Sequence, residues 1–133
     1  FENPEHKFVG YFIGSPGMNF LSCKLDGNTA YVNGVGIRLD DQTADAAQKT
    51  QGAMEIGIRP KYLEIGSVPR ENALPAIVKS FEDLGSYKIV KILLGEKTLH
   101  ARLPEDVSVS GGNVWVFFPP QRTKLYADGR LVK

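Results

Sequence analysis

A chain of 133 residues that is 42% hydrophobic holds one domain's worth of sequence and enough apolar side chain to bury a core, which excludes a disordered segment. Sixteen basic residues against fifteen acidic ones leave a net charge of +1, so composition supplies no strong pull toward nucleic acid or anionic lipid. Cys23 is the single cysteine, which excludes an intrachain disulfide and suits a small buried side chain in a reducing compartment; the longest apolar runs, 92–94 and 114–118, are strand-sized and too short to span a bilayer.

The chain opens Phe-Glu-Asn-Pro-Glu-His-Lys, without an initiator methionine or an apolar leader, so Phe1 is expected to be an internal position of a longer protein. Asn3 suits a helix cap and Pro4 the first helical position, with Phe8, Val9, Phe12 and Ile13 at helical spacing. A short amphipathic helix is predicted over 4–13, broken by Gly14-Ser15-Pro16-Gly17.

From Met18 the texture changes to short strands. Asp26-Gly27-Asn28 and Asn33-Gly34 signal hairpins on either side of Tyr31-Val32. Residues 40–52 are polar with scattered alanines and read as a surface loop or a marginal helical turn. Met54 to Ile58 is a predicted strand ending at Arg59-Pro60, and Gly66 to Asn72 a loop. Leu74–Phe81, Tyr87–Leu94, Thr98–Leu103 and Asn113–Phe118 follow as strands, separated by Gly85, Gly95, Pro104 and Gly111-Gly112. Leu99, Ala101 and Leu103 alternate with His100 and Arg102, the pattern of a half-buried strand. Asp128-Gly129 marks a last turn. Short strands punctuated by Gly and Pro predict a mainly β fold: a small, closed or nearly closed barrel preceded by one helix.

Catalytic chemistry is not indicated. Gly95-Glu96-Lys97-Thr98 lacks the glycine that a phosphate loop needs directly before its lysine, and reads as a hairpin turn. His6 and His100, on separate segments and with one cysteine, do not make a zinc pattern. Glu82-Asp83 and Glu105-Asp106 are sequence neighbours, which a strand points to opposite faces, so neither pair is a ready acid/base dyad. Tyr87, Lys88, Lys91, His100, Arg102, Trp115 and Phe117 are the residue types of a single-strand-binding barrel, but Trp115 and Phe117 lie in a continuous apolar run expected to be core.

The run from Asn3 to Leu21, with Asn-Pro, Phe-Val and Phe-Ile-Gly-Ser-Pro-Gly-Met-Asn-Phe, resembles the stretch that follows the nucleotide-binding domain in ABC importer ATPases of the maltose and glycerol-phosphate type. Gly57-Ile58-Arg59-Pro60 is similar to a second landmark of that family, although Lys61 stands where the family carries Glu. Glu82-x-Leu84-Gly85, the Phe118-Pro119-Pro120 exit and the closing stretch 125–131 extend the resemblance over nearly the whole chain.

The resemblance implies a division into a connecting helix and turn at 1–17 and an oligonucleotide-binding-type, transport-associated (TOBE) domain at 18–133. That domain would be non-catalytic, with ATP and magnesium held by the preceding ATPase domain and no cofactor of its own. Its implied partners are a second copy of the subunit, the transporter's membrane subunits by way of the ATPase domain, and a regulatory protein, with no nucleic acid. Its implied place is the cytoplasmic face of the membrane. The family-motif positions are Gly14, Ser15, Pro16, Met18, Asn19, Gly57, Arg59, Pro60 and Gly85, structural first; the candidate dimer contacts are Phe81, Leu84 and Phe118. A second expectation is an oxyanion sensor, as in related molybdate-binding barrels, with Lys88, Lys91 and Arg102 supplying charge.

Overall fold

The fold begins as a meander. β1 (Asn19–Asp26), β2 (Thr29–Val32) and β3 (Val35–Arg38) are antiparallel neighbours in a computed structural model that describes residues 17–108 and 111–132. The β2–β3 turn is Asn33-Gly34, both at positive φ (51° and 79°), the backbone that matches the right-handed twist of paired strands and that Asn-Gly adopts cheaply. The helix predicted over 4–13, His6, and the motif positions Gly14, Ser15 and Pro16 lie outside the described residues.

Residues 40–52 are more ordered than their composition suggests. α1 (Asp41–Ala47) begins where the Asp40 carboxylate accepts the Thr43 N–H at 2.7 Å, and Thr43, Ala44 and Ala47 turn inward. β4 (Met54–Ile58) follows, then a 3-10 turn at Pro60–Tyr62 and the short β5 (Glu64–Gly66).

The second half keeps the expected order with slightly longer strands: β6 (Ala73–Asp83), β7 (Tyr87–Leu94), β8 (Lys97–Pro104) and β9 (Gly112–Phe117), closed by β10 (Lys124–Ala127) and β11 (Arg130–Leu131). They form two antiparallel sheets, ordered β11-β10-β4-β1-β2-β3 and β5-β9-β6-β7-β8. The mainly β expectation therefore holds, the barrel taking the form of curled sheets that make a half-barrel.

One apolar cluster is shared by both sheets. Leu21, Ile37, Ile56 and Leu125 come from the first and Leu74, Val90, Ile92, Leu99 and Val116 from the second, all below 5% exposed. A β-bulge between Val78 and Ser80 shifts the β6–β7 register, so Ser80 lies opposite Lys91 and Phe81 opposite Val90.

The run 114–118 needs a correction. Val116 and Phe118 are buried, but Trp115 and Phe117 alternate with them on the outer side and stay half-buried, with the Arg70 guanidinium 3.6 Å from the Phe117 ring centroid. A continuous apolar run hides the period that separates the two faces.

Candidate functional site

The described motif residues other than Gly85 converge on one joint. Asn19 lies opposite Ile58 and Phe20 opposite Gly57 in the β1–β4 register, which brings the landmarks at 18–20 and 57–60 side by side. On one face of this pair Met18, Phe20 and Tyr126 form a small cluster outside the main core. The Phe20 and Tyr126 rings meet edge to face, 5.1 Å between centroids at 83°. Gly57 is the floor beneath them: a Cβ there would lie 2.8 Å from the Tyr126 ring and 3.0 Å from that of Phe20. Burial pushes the Tyr126 phenol up to about 12, with the nearby positive charge of Arg59 pulling the other way.

Asn19 supplies the link to the second sheet. Its Nδ2 donates to the carbonyls of His100 (2.9 Å) and Ile58 (3.3 Å), and its Oδ1 accepts the His100 N–H at 2.8 Å. His100 is on β8, the outermost strand of its sheet, whose outward backbone groups need a partner or water. The Asn19 side chain provides that partner, as a neighbouring strand would. Pro60, buried, opens the 3-10 turn that packs along the same strand.

Gly85 belongs elsewhere. It sits at φ 92° in the β6–β7 turn, its N–H donating to Asp83 Oδ1 at 2.9 Å, while the Leu84 N–H donates to the Tyr87 carbonyl. The three candidate contact residues divide. Phe81 and Leu84 are 50% and 45% exposed beside a concavity of about 470 Å³ that Tyr87, Ile89, Lys91 and His100 also line. Phe118 is 0% exposed and its backbone is held by Asn72, so it is a core residue and the contact assignment is withdrawn.

The cations of the oxyanion expectation do not converge. Lys91 and Arg102 share the outer face of β7 and β8, where the Arg102 guanidinium is 4.0 Å from the Tyr87 ring centroid. Lys88, an odd number of residues from Lys91, leaves the strand on the opposite side and its Nζ donates to the Val107 carbonyl at 2.8 Å. His100, with Lys91 as its cross-strand neighbour, has its pKa lowered by burial first and by that lysine second. Among the described residues no group of three or more His, Cys, Asp or Glu side chains is placed to hold a metal.

Two structural residues escaped the sequence reading. Asn72, 5% exposed at φ 62°, accepts the Arg38 N–H at 2.8 Å and donates to the Arg38 and Phe118 carbonyls, stitching β3 to the end of β9. An asparagine just before a strand, tolerant of the left-handed region, was the available signal. Tyr126, inside the closing stretch 125–131, gave no hint of its place over Gly57.

Residues 14–63 match the family described as the MalK OB fold domain. Similarity extends much further. The sn-glycerol-3-phosphate import ATP-binding protein UgpC of Escherichia coli O157:H7 is 28% identical over 97% of this chain, and that of Salmonella paratyphi A 30% identical over the same share. UgpC 2 of Agrobacterium fabrum is 32% identical over 84%. The chain spans about a third of these relatives, 36%, 36% and 30% of their lengths. In three dimensions it is similar to the cytoplasmic molybdate-binding protein ModG with molybdate bound, with a TM-score of 0.60, 10% identity, and coverage of 84% of this chain and 95% of that one. At that identity the likeness speaks for the fold alone.

Proposed function

We propose that this chain, which carries a MalK-type OB fold and is homologous along nearly all its length to a part of import ATP-binding proteins, is the non-catalytic accessory domain of an ABC importer's ATP-binding subunit. The observation that carries the reading is the asymmetry of the match: 97% of this chain against 36% of the relative. On this reading ATP and magnesium bind in the domain ahead of residue 17, the importer brings in sugars, polyols or glycerol phosphates, and the subunit lies on the cytoplasmic side of the membrane. The domain pairs with its twin and receives regulatory proteins. A contact that persists while two ATPase halves separate keeps them at an effective concentration of about millimolar. A partner that prefers one dimer geometry shifts the cycle by its difference in affinity. Phe81 and Leu84 are the contact residues of this proposal, being large apolar side chains left half exposed.

Reading the coding frame upstream of Phe1 and purifying its full product tests the proposal. A phosphate loop and signature motif upstream, ATP hydrolysis, and a dimer weakened at least tenfold by the F81D/L84D pair are expected. A start codon just ahead of Phe1, or no ATP binding, would overturn it.

The molybdate-bound neighbour favours one further reading, an oxyanion-sensing barrel. The divergence of Lys88 from Lys91 and Arg102 weighs against it. Calorimetry with molybdate separates the two: saturable micromolar binding supports the sensor, and silence at millimolar molybdate removes it.

A further inference from the structure

Asn19 is the first residue of β1 and lies two positions from the start of the described chain. Its side chain is 6% exposed and reaches both sheets, Ile58 in the first and His100 in the second. From His100 a row of cross-strand partners runs to Lys91 on β7 and on to Ser80 on β6, and these three line the same concavity as Phe81 and Leu84.

We propose that Asn19 is a mechanical joint: it passes movement of the incoming chain to the edge of the second sheet, and so toward the surface around Phe81 and Leu84. The inference rests on the reading that an ATP-binding domain precedes residue 17. Backbone pairing of β1 carries such movement only into the first sheet, through β2 and β4. The two hydrogen bonds to His100 add a second route, to a strand that is 81 residues away in sequence. They imitate the paired donor and acceptor of a sheet ladder, so they resist sliding of β8 along β1 as well as separation.

Hydrogen exchange read by mass spectrometry tests the joint in two arms. In the 133-residue chain Asn19→Ala is expected to speed exchange of segment 97–104 about tenfold, the loss of a paired buried amide, with segment 54–58 unchanged. Asn19→Ser, whose shorter side chain cannot reach both the N–H and the carbonyl of His100, replaces it with the same expected rise at 97–104 if the alanine variant does not fold. An unchanged 97–104 segment, or a uniform rise throughout the chain, overturns the proposal.

In the full-length product a non-hydrolysable ATP analogue is expected to change exchange at 97–104 at least twofold, and Asn19→Ala to abolish that response. ATP hydrolysis by the same preparation reports on the parent reading separately. A preparation that hydrolyses ATP but shows no response at 97–104 sinks the joint and leaves the parent reading standing. One that binds no ATP sinks the parent reading and the transmission with it, while the first arm still decides the contact between Asn19 and β8.

Discussion

Adding one methyl group at Gly57 tests whether the motif glycine is a packing requirement. Its backbone is outside the left-handed region, so Gly57→Ala carries no conformational penalty of that kind and the effect reduces to space. The new Cβ would lie 2.8 Å from Tyr126 Cε1, 3.0 Å from Phe20 Cε1 and 3.2 Å from Met18 Cε. Only the methionine is a flexible end; the two rings are 0% and 2% exposed and braced edge to face, so one ring must leave its place. Overpacking of this kind costs about 1–3 kcal/mol, and a lost edge-to-face contact adds roughly 0.5–1.5 kcal/mol when the rings part. A destabilisation of about 2 kcal/mol is expected, a fall in Tm of roughly 6–10 °C for a domain of this size. Urea melts followed by fluorescence should show a lower midpoint with an unchanged slope. Phe20→Leu in the same background should return part of the loss, a coupling of at least about 0.5 kcal/mol. If Gly57→Ala melts within about 0.5 kcal/mol of the parent and shows no coupling to Phe20, the packing account of this landmark is wrong.

Asn72→Ala removes three hydrogen bonds and places alanine at φ 62°, so a loss of about 3–4 kcal/mol is expected in the same melts, with Asn72→Gly recovering roughly 1 kcal/mol of it. His100 has a folded pKa below its ordinary 6.5, so the unfolded chain binds the proton first on acidification. Its contribution is complete above about pH 6.5 and is lost as pH falls below that value, and His100→Gln should flatten the decline in urea midpoint between pH 7.5 and 5.5. The Cys23 thiol is pushed up to about 11 by burial first and the Glu55 carboxylate second. Reaction with a disulfide reagent at pH 8 should therefore run at least about tenfold slower in the folded chain than in urea.

Turns and strand limits were legible because their chemistry is local. Asn33-Gly34 and Asp128-Gly129 supply paired positive φ angles that few other dipeptides accept, and each sits where expected. Tyr87–Leu94 and Met54–Ile58 match their predicted bounds, since glycine or proline closes the apolar run nearby. The alternation of Leu99 and Ala101 with His100 and Arg102 also held, and what failed was the inward face of a run that is apolar throughout. Five apolar residues at 114–118 carry no period, so Trp115 and Phe117 passed for core while Phe118 stood as a candidate contact with core packing the alternative. α1 was faint for another reason: seven residues with two inward alanines give little periodicity, and its cap, Asp40, is one of several acidic residues in a polar stretch.

The motif positions illustrate what resemblance can and cannot locate. Met18 and Asn19 are far in the chain from Gly57 and Pro60, and no spacing rule relates them, yet they lie on or directly beside the paired strands β1 and β4 and each has a packing or bonding reason to be there. Glycine is needed under two rings, asparagine where one side chain must both donate to and accept from a strand edge, and proline where the chain turns against β8. These demands concern the joint between the sheets, so a substitution there is expected to act on stability and on the transmission of movement. The partner contact proposed above rests instead on Phe81 and Leu84, half exposed beside the β6–β7 turn. Phe81 has the Lys88 ammonium 5.8 Å from its ring centroid, and Leu84 stays 45% exposed. A single sequence gives them no signature beyond being apolar near a turn, which is why the same reading also picked out the buried Phe118.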